Sequence, residues 1–163
     1  MHAKDVIRRT MDMSDMVVGT YLDGLSDADL LIRPVDGANH IAWQLGHIIS
    51  SEHQMLNIIR PGSSPALPEG FAEKHQKETA TSDDPKHFST KAEYLQLAKT
   101  QREASLKVLD SVSESDLDEA DAERYPPYAP NMGAMFYMMG GHYMMHAGQF
   151  AVVRRKLKLP VTI

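Results

Sequence analysis

Apolar positions recur at helical spacing in four stretches of the chain, and almost nowhere at the two-residue period of a strand. The first stretch runs from about Ala3 to Asp23, with Val6, Ile7, Met13, Val17 and Tyr21 spaced as one stripe. Gly24 is placed to end it, because glycine tolerates the left-handed conformation of the residue after a helix. Ser26-Asp27-Ala28-Asp29 has the make-up of a capped single turn, and Arg33-Pro34-Val35-Asp36-Gly37 that of a loop. The second stretch begins at Ala38 or Asn39 and continues to Arg60, where Pro61-Gly62 stops it. Ile41, Leu45, Ile48, Glu52, Met55 and Ile59 fall on or near one face, and His40, Trp43, Gln44, His47, Ser51 and Gln54 form a more polar face beside it. A polar stripe next to an apolar one suits a helix that lines a cavity while packing in a core.

Residues 61–89 break the periodicity with scattered prolines and glycines; a connection this long in a compact domain carries function or a short helix. Pro68 to His75 could supply that helix, with Phe71 plugging it onto the rest. The third long helix is expected after Ser89-Thr90, where Glu93 completes a capping box on Thr90. Its buried side is assigned to Tyr94, Leu95, Ala98, Leu106, Leu109 and Val112. An acidic, then proline-rich linker from Ser113 to Pro130 leads to a fourth helix, opened by Asn131 as its cap and running to about Leu157. The pattern predicts an all-α four-helix bundle with long connections, forming a single domain over residues 1–163.

Composition narrows the function. The 163 residues are 42% hydrophobic and 24% charged with a net charge of −5, so the chain lacks the basic balance of a nucleic-acid binder. The basic run Arg154-Arg155-Lys156, with Lys158, closes the last helix, where it complements the helix dipole. There is no cysteine, which removes disulfides, thiolate ligands and a cysteine nucleophile together. The charged N-terminus does not read as a signal peptide, and no apolar run reaches the roughly 18 residues of a membrane span. A cytoplasmic location without membrane association is the expectation.

Candidate chemistry concentrates in the second and fourth helices. His142 and His146 stand one turn apart, so both imidazoles project from one face, about 5–6 Å apart at Cβ, a spacing that can grip one metal ion. The fourth helix is otherwise rich in methionine, with Gly140-Gly141 inside it; burying an unpartnered imidazole there costs on the order of 1–3 kcal/mol, which a shared metal would relieve. The glycines themselves cost about 1 kcal/mol each against alanine, which close approach of a neighbouring helix could offset. His47 is the third candidate. Three neutral imidazoles with an open fourth position would make a catalytic rather than a structural metal site. Gln149, one turn beyond His146, could hydrogen-bond a ligand histidine or a substrate; Glu52 falls too far around its helix from His47 to share a metal; His40 reads as a solvated histidine near the cavity mouth.

The pattern Ile41-Ala42-Trp43-Gln44-Leu45-Gly46-His47-Ile48, with Glu52 following, resembles the second-helix motif of the DinB/YfiT-like family, and His142-x-x-x-His146-x-x-Gln149 resembles its fourth-helix motif. The segment from Leu25 to Pro34 resembles its helix-linking segment, so the likeness spans essentially the whole chain. The resemblance implies a four-helix bundle, commonly a homodimer, with His47, His142 and His146 holding a divalent metal: zinc or nickel first, manganese or iron next. It also implies a small-molecule substrate and an enzyme that transfers or isomerises with a low-molecular-weight thiol. Two alternatives stay open on the residues alone: a hydrolase using metal-bound hydroxide, and a non-catalytic metal-binding or dimeric scaffold.

Overall fold

A computed structural model describes every residue of the chain except Thr162. Among the described residues there are five α-helices, α1 (Ala3–Leu22), α2 (Ile41–Ile59), α3 (Lys91–Ser111), α4 (Glu114–Leu117) and α5 (Met132–Lys156); the loop before α2 carries one 3₁₀ turn and the loop before α3 carries three. The four long ones are the helices that the hydrophobic pattern marks out, and no strand occurs among the described residues. Their ends follow local chemistry. Gly24 sits at φ +72° after α1. The Thr90 hydroxyl accepts from the Glu93 backbone N–H while the Glu93 carboxylate accepts from Thr90 N–H, and the Asn131 side chain accepts from Ala134 N–H. The linker contains one turn that periodicity did not reveal: α4, closed by a capping box between Ser113 and Asp116.

α5 is the hub of the bundle. It packs along α1 and against α2, while α3 leans on α2. A Cβ on Gly140 would lie 3.0 Å from Thr10 Cγ2 and 3.2 Å from the Met11 nitrogen, so glycine here is what lets α1 and α5 approach. The buried face of α1 is Ile7, Met11, Ser14, Val17, Val18, Tyr21 and Leu22; Val6 and Met13, expected in the stripe, are exposed. Leu95, expected on the buried side of α3, is exposed as well. Arg154, near the end of α5, is buried and donates to the carbonyls of Tyr21, Asp23 and Pro160, tying the C-terminus of α1 to the end of the chain.

The core falls into two apolar clusters. One gathers Leu22, Leu30, Leu45, Ile48, Phe71, Tyr94 and Phe150; the other Met11, Leu56, Leu109, Met135, Phe136 and Met139. Fully burying a side chain such as Leu45 or Phe136 contributes about 1.5–3 kcal/mol. On α1, α2 and α3 polar positions lie between the two clusters: Ser14 and Asp15 on α1, Glu52 on α2, and Arg102 and Ser105 on α3; on α5 the first cluster's Tyr143 follows the second cluster's Met139 by one turn. Arg102 Nη1 lies 3.3 Å from Glu52 Oε1, Arg102 Nε 3.2 Å from Asp15, and the Ser105 hydroxyl donates to Glu52 across 2.7 Å. Glu52 therefore pairs away from the histidines, as its place on the helix implied. Burial pushes its carboxyl above the usual range, and the Arg102 guanidinium pulls it back only in part.

Candidate metal centre

α2 starts at His40, which is a buried cap and not a solvated side chain. Its Nδ1 accepts from Trp43 N–H at 3.0 Å, and its Nε2 meets the Ser82 carbonyl at 3.0 Å. Seven residues on, half-buried His47 projects from α2 toward α5 and meets His142 and His146 there. One ligating nitrogen from each of the three lies within 4.8 Å of the others. Nε2 of His142 and Nε2 of His146 are 3.1 Å apart. The sequence pattern thus assembles all three histidines in space.

The surroundings fix how these rings present themselves. His146 Nδ1 lies 2.8 Å from Gln44 Oε1, and the Gln44 amide is oriented by donating its Nε2 to the Asn39 carbonyl at 2.7 Å. With the amide oxygen facing it, Nδ1 of His146 is the protonated nitrogen and Nε2 carries the lone pair aimed at His142. The Trp43 indole stacks on His47, centroids 5.0 Å apart and rings inclined by 6°. No carboxylate belongs to the cluster. Burial, reinforced by the neighbouring imidazoles, lowers the pKa of His146 to about 3 and of His142 to about 4, and burial lowers that of His47. All three rings are neutral at neutral pH, the form in which an imidazole can ligate.

Residues 71–79 form a strap over this end of α2. Phe71 is buried, as its suggested plugging role requires, and the 3₁₀ turns Glu73–His75 and Lys77–Thr79 follow it. Trp43 Nε1 donates to the Gln76 carbonyl at 3.2 Å. His75 had no partner legible in the sequence. It is nonetheless buried, with Nδ1 2.7 Å from the Phe71 carbonyl and Nε2 2.8 Å from the Tyr94 hydroxyl, and burial lowers its pKa to about 4. Its ring occupies the space where a Cβ on Gly46 would stand, 2.1 Å from the nearest ring atom. Gln149, for which hydrogen-bonding a ligand histidine was one of two suggested roles, is exposed, and Gln44 is the residue that pairs with His146. Gln44 was legible as a member of the polar stripe of α2 and of the motif around His47, but not as the partner of His146. A cavity of about 280 Å³ opens beside His47 under the strap. A more apolar cavity of about 360 Å³ between α1 and α3 contains none of the three histidines, so chemistry and not volume locates this centre.

An all-helical bundle with a cluster of three neutral, oriented histidines is the class of protein that this fold and centre define. The chain belongs to the DinB superfamily, whose family model matches residues 12–150. Its backbone is similar to the crystal structure of a conserved protein from Enterococcus faecalis, with a TM-score of 0.70 and 15% identity over 95% of this chain and 96% of that one. At that identity the likeness speaks for the fold alone. No curated protein matches the sequence. No helix is long and apolar enough to cross a membrane among the described residues.

Proposed function

We propose that His47, His142 and His146 hold a divalent metal, zinc or nickel, and that the protein is a metal-dependent transferase acting on a small thiol. The observation that carries the reading is the His146–Gln44 hydrogen bond, which sets the tautomer so that the Nε2 lone pair faces the other histidines. The donor set fits. Zinc–imidazole bonds of about 2.0–2.1 Å in a tetrahedron separate two nitrogens by about 3.3 Å, close to the 3.1 Å between His142 and His146. An all-imidazole set suits zinc, nickel, iron or copper and not the oxygen-seeking magnesium or calcium. Bound there, a divalent ion supplies a Lewis acid that brings the pKa of a thiol or water toward neutrality.

The chain's own residues then bind and shape. Gln44 orients His146, Trp43 forms a wall against His47, and the strap narrows the approach of solvent. The chain contributes no cysteine, so any sulfur nucleophile comes from outside, and the resemblance to thiol-using DinB-like enzymes points the same way. The test offers the zinc- or nickel-loaded protein small thiols together with an electrophile. Loss of free thiol, absent in His142→Gln, supports the reading; ester cleavage without thiol loss replaces it with a hydrolase. A second reading has its own observation: the 3.1 Å contact is equally satisfied by His142 donating to His146 in a bundle that holds no metal.

We also propose a homodimer formed through the outward face of α5. That helix has no charged residue from Met132 to Val153, and Tyr137, Met145 and Val152 are exposed on it, with exposed Met13 and Met16 on the adjoining α1. A monomer by sedimentation would overturn this.

A further inference from the structure

We propose that the cavity of about 280 Å³ beside His47 is the subsite for the polar body of the substrate, and that it selects a small zwitterion of the amino-acid type, bearing one carboxylate and one ammonium. The assignment rests on reading the histidine cluster as the reaction centre. His47 forms one boundary of this cavity, so a molecule seated in it reaches the cluster. Along α2 the wall continues with Ser50, Ser51 and Gln54, which share the face of His47 at positions i+3, i+4 and i+7.

Ser50 is only 7% exposed, and its hydroxyl has no hydrogen-bond partner among the described residues. Buried polar atoms are normally hydrogen-bonded, so this hydroxyl is open to a partner placed in the cavity. The opposite wall is the strap, where Lys77 and Glu78 bring one positive and one negative charge to the same cavity. Neither forms an ion pair among the described residues, so both charges are free to meet a ligand in the cavity. Two unpaired opposite charges on one rim match a ligand carrying both signs: the ammonium of Lys77 meets a carboxylate, and the carboxylate of Glu78 meets an ammonium. The strap is held in place to present them. His75 is anchored to Phe71 and Tyr94, and the Thr79 hydroxyl is 2.8 Å from both the Lys74 and Gln76 carbonyls.

Backbone amide NMR titration of the zinc-loaded protein tests the assignment with three sulfur-free probes of matched size: L-serine, L-lactate and ethanolamine. L-serine is expected to shift the amides of Ser50 to Gln54 and of Gln76 to Glu78. It should bind about fivefold more tightly than either singly charged probe, the upper range for a solvent-reaching charge pair. Lys77→Gln removes the advantage over ethanolamine, and Glu78→Gln removes the advantage over lactate; both side chains are exposed, so the fold is not at stake. Equal binding of the three probes, shifts elsewhere, or no saturable shift with L-serine overturns the subsite. L-cysteine, added with zinc in excess, separates this from the thiol reading. Tighter binding than L-serine supports both, whereas equal affinity with the same Lys77 and Glu78 dependence keeps the subsite and overturns the thiol.

Discussion

Gln44 on α2 accepts a hydrogen bond from His146 on α5 across 2.8 Å, and so decides which nitrogen of that imidazole faces the other two histidines. The pair joins helices far apart in sequence, and it makes the centre depend on a residue that would touch no metal. Gln44→Met keeps similar volume and removes the acceptor. The expected result is a metal affinity reduced about 10–100-fold, the usual cost of losing a partner behind a ligand, measured by competition with a chelator. Unchanged affinity would mean that His146 is oriented by packing alone.

Gly46→Ala tests the seat of the strap. The added Cβ would collide with the His75 ring, which is hydrogen-bonded at both nitrogens. Against a gain of about 1 kcal/mol in helix propensity stands overpacking that forces His75 out, for a net loss of about 2 kcal/mol in urea unfolding. A neutral or stabilising outcome would show that His75 moves aside freely.

Acid should loosen the metal-free chain through its histidines. His146 titrates at about 3 and His142 and His75 at about 4 in the folded chain, against an ordinary 6.5. Below 6.5 the unfolded chain takes up protons that the folded chain refuses, so stability is fully present above that pH and is lost as pH falls toward the folded values. Glu52 and Asp15, whose carboxyls burial raises, act in the opposite sense. The difference between the chain and His146→Gln isolates the histidine part. The chain should lose more stability than the variant between pH 6.5 and 5, and equal slopes would contradict the buried, neutral state of His146.

Glu52→Ala leaves the Arg102 guanidinium buried with Asp15 as the one carboxylate paired to it. Breaking a buried pair from one side costs about 3–5 kcal/mol. The double replacement Glu52→Met, Arg102→Leu should cost clearly less than the sum of the single ones, since it removes both charges. Additive losses would show that the two side chains do not support each other.

The extent to which sequence disclosed this molecule follows from the range of the forces involved. The long helices were legible because periodicity, Thr90–Glu93 capping and the Asn131 cap are local. The histidine trio was legible because two members are one turn apart and the third lies in a motif resembling a known family. Gln44 and His75 were not, since their roles arise from contacts between segments 102 and 19 residues apart. Val6 and Met13 were misplaced because an apolar side chain at helical spacing does not reveal which flank of its stripe the neighbouring helix covers. The same ambiguity hid His40, whose burial depends on Ser82 and Phe88 folding back over it.

The most direct test of the account is elemental analysis of the protein purified without an affinity tag, beside His47→Ala and His146→Ala. The account expects close to one zinc or nickel per chain in the parent and loss of that metal in both variants, with helical content retained. A parent that takes up none of these metals after reconstitution, while folding normally, would contradict it and leave three histidines that merely pair in a helical core.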